Sequence, residues 1–122
     1  MSEKRFSKKH EWVSIEGDTA TVGITKHATE MLGDIVFVEV ETEGEELDAE
    51  EVFGTIEAVK TVSDLFMPVD GEIVEVNSSL EDQPENVNND PYGEGWMVKI
   101  KLENPSQVSD LLDLASYEKI TN

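Results

Sequence analysis

Cysteine is absent from the 122 residues. No disulfide, thiolate metal site or cysteine nucleophile is therefore available, and any thiol chemistry must come from a group attached to the chain. Cations are scarce too: nine Lys and Arg stand against 28 Asp and Glu, a net charge of −19. Phosphate backbones and anionic lipid surfaces repel such a chain, so neither nucleic acid nor membrane is an expected partner. Long apolar runs are missing. No stretch approaches the roughly 18 residues of a spanning helix, and the basic opening MSEKRFSKKHEW lacks the apolar centre of a secretory signal. A soluble cytoplasmic protein, monomeric and with one domain over 1–122, is the expectation.

What is present is mostly alternation of period two between turn residues. Strands are expected over Glu11–Ile15, Thr19–Ile24, Ile35–Glu41, Val52–Val59, Val62–Val69, Ile73–Val76 and Trp96–Leu102. Two helices interrupt them. One runs near 25–32, with Thr25 as N-cap and Gly33 at its stop. The other covers about 105–118, opened by Asn104-Pro105 and carrying Val108, Leu111, Leu112 and Ala115 as an apolar stripe against the sheet. The polar segment Asn77–Gly95 reads as an irregular excursion. Trp12 and Trp96 are expected in the core. The fold class is mainly β, a small sandwich or barrel.

Charge is unevenly placed. Glu39–Glu51 holds eight acids in 13 residues. Their spacing does not match a calcium loop, and a solvated edge strand running into a loop is the better reading. His10 and His27, without cysteine or spaced acids, do not make a metal site. Four of the nine cations fall in the first nine positions, and Lys60 is the one cation between Lys26 and Lys99, among 20 acids.

Lys60 also stands where two β-prone runs meet, so it is expected at the tip of a hairpin. A two-residue hairpin turn favours glycine or asparagine at positive φ. Val59-Lys60-Thr61 offers neither, and a broken local rule often marks a functional position. At pH 7 only about one lysine in 10³ is unprotonated, so an external enzyme would have to deprotonate Lys60 before acylating it.

Over nearly its whole length the chain resembles the H-protein family of the glycine cleavage system. The resemblance rests on KHEWV at Lys9–Val13, VGIT at Val22–Thr25, LGDIVFVE at Leu32–Glu39, IEAVKTVSDLFMPVDGEIVEVN at Ile56–Asn77 and DPYGEGWMVKI at Asp90–Ile100. It implies a barrel-sandwich hybrid of two antiparallel sheets, lipoyl-domain-like, with the lipoyl hairpin at about 52–69. It also implies lipoate in amide linkage on Lys60. The implied arm would take the aminomethyl group of glycine at a pyridoxal-phosphate glycine decarboxylase and deliver it to a tetrahydrofolate-dependent aminomethyltransferase. Dihydrolipoamide dehydrogenase would then reoxidise it. The chain itself would be a carrier and not an enzyme, raising the effective concentration of the arm at each partner. A lipoate ligase or lipoyl/octanoyl transferase would load it.

The same resemblance marks Glu11 and Asp64 as acids that shelter the loaded arm, and Glu57 and Gly71 as positions near the ligase-recognition surface. Taken alone, Glu11 is a strand-start residue, Asp64 a turn cap, Glu57 a strand-face residue and Gly71 a turn glycine. Rival readings fit less well. A biotin domain would show Met-Lys-Met, and the lipoyl domain of a 2-oxo acid dehydrogenase Asp-Lys-Ala, where this chain has Val59-Lys60-Thr61. An H-like paralogue relaying lipoyl groups to another pathway stays open, as does, less well supported, an acidic interaction module without cofactor.

Overall fold

The alternating runs pair into two antiparallel sheets. The computed structural model describes residues 4–121, and among these the strands are, in chain order, β1 (Lys4–Phe6), β2 (Glu11–Glu16), β3 (Thr19–Ile24), β4 (Ile35–Glu39), β5 (Glu46–Leu47), β6 (Val52–Ala58), β7 (Val62–Phe66), β8 (Gly71–Val76) and β9 (Val98–Leu102). Six make one sheet in the order β1-β2-β3-β9-β8-β5, and three make the other in the order β4-β6-β7. Val13, Val22 and Ile100 from the first and Val38, Phe53 and Ile56 from the second belong to one buried cluster. The core is thus the layer where both sheets turn their apolar positions inward. The mainly β expectation holds.

Helix α1 (Lys26–Leu32) forms as expected. The Thr25 hydroxyl accepts from the Ala28 N–H at 3.2 Å, and Gly33 ends the helix at φ 83°, a left-handed conformation that favours glycine. The polar excursion contains two single turns, α2 (Ser79–Asp82) and α3 (Asn86–Asn89), which bury Leu80 and Val87.

Several expectations need correction. The run expected over Val62–Val69 stops as a strand at Phe66. Pro68 has no N–H for a ladder, and the chain crosses to the other sheet with Met67 and Val69 still buried. Gly71 is consequently the first residue of β8 and no turn glycine. The expected helix over 105–118 is two pieces: a 3-10 helix at Pro105–Asp110, then α4 (Leu114–Thr121). Between them Leu112 is drawn into an antiparallel bridge with Phe6, with hydrogen bonds of 2.8 and 2.9 Å. That pairing holds the backbone extended. Asp113 restarts the helix by accepting from the Ser116 N–H at 2.8 Å, and that bond holds its carboxyl below the usual range. Tyr117, not Ala115, is the buried residue of α4. Trp12 is buried as expected, whereas Trp96 is half-buried.

Two short strands had no signal in the sequence. β1 adds an edge to β2, and β5 adds the opposite edge to β8. The acidic stretch behaves as expected: β4 is an edge of the small sheet, and the chain beyond Glu39 runs as a loop into β5.

Candidate functional site

Lys60 sits at the tip of the β6–β7 hairpin. Glu57 pairs with Val62, and the Ala58 N–H donates to the Thr61 carbonyl at 2.8 Å, leaving Val59 and Lys60 as the two central residues. None of them has positive φ, so the turn is not of the type that glycine serves. Support comes from outside the hairpin. The Val59 N–H donates to the Asp34 carbonyl at 3.0 Å, tying the tip to the α1–β4 connection.

The Lys60 stem lies over Gly33, where an added Cβ would stand 3.4 Å from Cε. Among the described residues, no hydrogen bond or ion pair engages its ammonium. Val59 and Val62 beside it are 76% and 65% exposed, so the tip leaves apolar surface in water around one amine. Glu57 is exposed and lies in register between Phe37 and Val62. Gly71 lies elsewhere, in the large sheet. A Cβ there would stand 2.7 Å from the Lys101 carbonyl and closer still to Ile100, so the glycine is required by packing between strands.

Glu11 is 3% exposed. The β1–β2 turn folds back on it: the Ser7 hydroxyl donates to its carboxylate and accepts from its backbone N–H at 3.1 Å. Burial pushes the carboxyl up to about 7, against the opposing effects of the Ser7 hydroxyl, the Phe66 backbone amide and the Lys9 ammonium. It is therefore a group that titrates near neutrality. Glu11 lines a cavity of about 340 Å³ with Lys9, Glu50 and Met67. Asp64 is exposed on β7 and lies outside that lining. It does share a strand face with Phe66, two residues on, whose amide faces Glu11. Along β7, Asp64 lies about 7 Å and Phe66 about 13 Å beyond Val62, the strand's first residue.

His10 and His27 come together with ring centroids 4.8 Å apart, and the hydrogen-bond partner of His10 is a phenol. The His10 Nδ1 meets the Tyr117 hydroxyl at 2.8 Å, and that hydroxyl meets Thr25 at 2.7 Å. Burial first, then His27, lowers the His10 pKa, and burial raises that of Tyr117. The cluster pins α4 to the start of α1 beside Glu11. Among the described residues no group of three or more His, Cys, Asp and Glu is placed to hold a metal.

Ser7, Lys9, Glu50 and Phe66 escaped the sequence reading. Ser7 and Lys9 belong to a turn whose neighbours in space come from segments about 40 to 60 positions away. The one legible signal was KHEWV itself, an acid flanked by a strand.

Comparison with known proteins bears on the family and the fold. The family model described as "Glycine cleavage H-protein" matches residues 4–122. A glycine cleavage system H protein of Bacteroides fragilis is 58% identical over 118 residues, covering 97% of this chain and 94% of the relative. One of Staphylococcus carnosus is 52% identical, with the same coverage of 97% and 94%. The crystal structure of a glycine cleavage system H protein from Mycobacterium marinum superposes with a TM-score of 0.88 at 39% identity, over 97% of this chain and 95% of that one.

Proposed function

The chain belongs to the glycine cleavage H-protein family, and on that premise we propose that it is the lipoyl carrier of a glycine cleavage system, with lipoate in amide linkage on Nζ of Lys60. The observation that carries this reading is the hairpin tip: an exposed amine without a partner among the described residues, on a turn braced from outside by Asp34. An amide-linked arm needs an amine that an acylating enzyme can reach, and the tip provides it. When attached, lipoate supplies a dithiolane whose reductive opening takes up the aminomethyl group left by glycine decarboxylation.

The chain's own residues hold, orient and shelter. Gly33 leaves room for the Lys60 stem to lie along the α1–β4 connection. Glu11, half-ionised near neutrality, and Asp64, nearer the tip on β7, are the acids that steady a cationic group brought to this face. Glu57 is exposed three positions before Lys60 and is the ligase contact, whereas Gly71 supports that recognition only through the packing of β8. Partners are the decarboxylase, the aminomethyltransferase, dihydrolipoamide dehydrogenase and the enzyme that attaches lipoate. The chain catalyses none of their steps, and acts in the cytoplasm as a monomer; no described helix is long and apolar enough to cross a membrane.

Intact mass after incubation with a lipoate ligase tests the site. One lipoyl adduct is expected on the natural chain and none on Lys60→Arg; a biotin adduct, or none on either, overturns it. Reconstituted glycine decarboxylation with the adduct-bearing chain tests the pathway.

A further inference from the structure

The turn that presents Lys60 has little of its own to fix its shape. Val59 and Lys60 are both exposed and neither has positive φ, so the self-sufficient glycine-type turn is excluded. Its outside support, the Asp34 carbonyl, belongs to the short link between α1 and β4, where Asp34 is itself exposed. Asn88 grips that link on both sides. Its Nδ2 donates to the Gly33 carbonyl at 2.9 Å, and its Oδ1 accepts from the Ile35 N–H at 2.9 Å. One donor and one acceptor are needed there at once, which a side-chain amide supplies. Asp34 is the residue straddled, and its carbonyl is the one that receives the Val59 N–H at 3.0 Å. The Lys60 stem lies over Gly33, beside the same clamp.

The clamp has a firm mount. Asn88 sits in α3 next to Val87, which is fully buried, and the Asn86 carbonyl of the same turn accepts from the Asp90 N–H at 2.8 Å. Gly95 passes so close that a Cβ there would stand 2.7 Å from the Asn86 carbonyl. The polar excursion thus ends in a packed support for a hairpin on the other sheet.

We propose that Asn88 is a positioning residue for the acylation of Lys60: it fixes the Gly33–Ile35 link, and through the Asp34 carbonyl it holds the Val59–Lys60 turn in the shape an acylating enzyme meets. It touches neither the amine nor any reacting atom. In the step it serves, Nζ gives up two protons in all and forms an amide bond to the carbonyl carbon of an activated lipoyl ester. The activating group leaves with the electron pair of the bond it held. The inference rests on the carrier reading above and adds the residue that sets the geometry of the target. Without the clamp the turn samples other shapes. Apparent affinity for the enzyme then falls with the fraction in the presented shape, while the rate once bound does not.

Two measurements on the full chain without lipoate test this. Amide hydrogen exchange reads the positioning itself: Asn88→Ala is expected to speed exchange of the Val59 and Ile35 amides about tenfold, while core amides such as those of Val22 and Ile100 keep their rates. Attachment by a lipoate ligase, with lipoate and ATP, reads the consequence: KM for the chain is expected to rise about five- to tenfold with kcat within about twofold. Asn88→Asp keeps the acceptor for Ile35 and loses the donor to Gly33, so it should fall between the two, and it serves alone should the alanine variant fold poorly. Unchanged Val59 exchange, equal acceleration of the core amides, or an unchanged KM would each overturn the proposal. The exchange measurement involves no lipoate, so its failure leaves the Lys60 adduct standing. A natural chain that takes no adduct brings down the carrier reading and leaves the faster Val59 exchange intact.

Discussion

The hairpin tip and the Glu11 cavity present opposite solutions to holding a functional group. At the tip, two adjacent β runs deliver Lys60, and one outside bond, Val59 N–H to Asp34, completes the turn. The group is exposed and its surroundings are local. At the cavity a buried acid is held by a turn from β1–β2 and by the amide of β7, with the Glu50 carboxylate beside it as a like charge. Contacts of that kind exist only after the sheets have paired. The tip should therefore tolerate substitution without loss of fold, while changes around the cavity should register in stability and pH dependence.

The largest effect separates the two outright. Lys60→Arg should abolish lipoyl attachment completely while shifting urea unfolding by less than about 0.5 kcal/mol, since an exposed residue without partners carries little stability. A clear loss of stability would mean that the tip is structural. Next, Glu11→Gln should change the pH profile of unfolding. Folded Glu11 keeps its proton up to about pH 7, whereas its ordinary value is 4.5. Between those values the folded chain binds more protons than the unfolded one, so this group's contribution to stability is full below about 4.5 and lost as pH rises through about 7. Measured as the difference between variant and natural chain, glutamine should therefore gain on the order of 2–3 kcal/mol on going from pH 4 to pH 8. A flat difference would show that Glu11 is not desolvated.

Smaller changes sharpen the comparison. Gly71→Ala should cost about 1–3 kcal/mol, because its Cβ would crowd Ile100 and the Lys101 carbonyl. Lipoyl attachment at the distant tip should nonetheless persist in the folded fraction. Tyr117→Phe keeps the ring on Phe6, 4.8 Å away, and deletes the hydroxyl shared by His10 and Thr25; about 1 kcal/mol is expected, read as earlier exchange of the α4 amides. The smallest structural effect belongs to Glu57→Ala: slower attachment by a ligase at unchanged thermal midpoint. Unchanged attachment kinetics would remove Glu57 from the recognition surface.

Lys60 was legible because its signal is local: a single cation between two β-branched runs. The α1 boundaries were legible for the same reason, Thr25 and Gly33 acting within one turn of their own backbone. Gly71 was read as a turn residue because Val69-Asp70-Gly71 has turn composition, and nothing local reveals that Ile100 and Lys101 fill the space where a Cβ would go. The stripe after Asn104 was regular enough for one helix. It breaks because Phe6, over a hundred positions earlier, offers Leu112 a strand partner.

By itself the sequence determined the mainly β alternation, the first helix with its caps, the exposed lysine between two strands and the absence of any thiol, all of which depend on side-chain type within a few neighbouring positions. Tertiary structure alone decided where Glu11 went, and hence that it titrates near neutrality. A carboxyl's proton affinity depends on the water and charges removed from around it; Ser7 and Lys9 come from the turn just before it, but Phe66 and Glu50 reach it only once β7 lies against β2. The missing cysteine acquires its meaning between these levels: the chain brings no sulfur thiol of its own to an arm at Lys60, and its part is to hold that arm out and give its charge a place to rest.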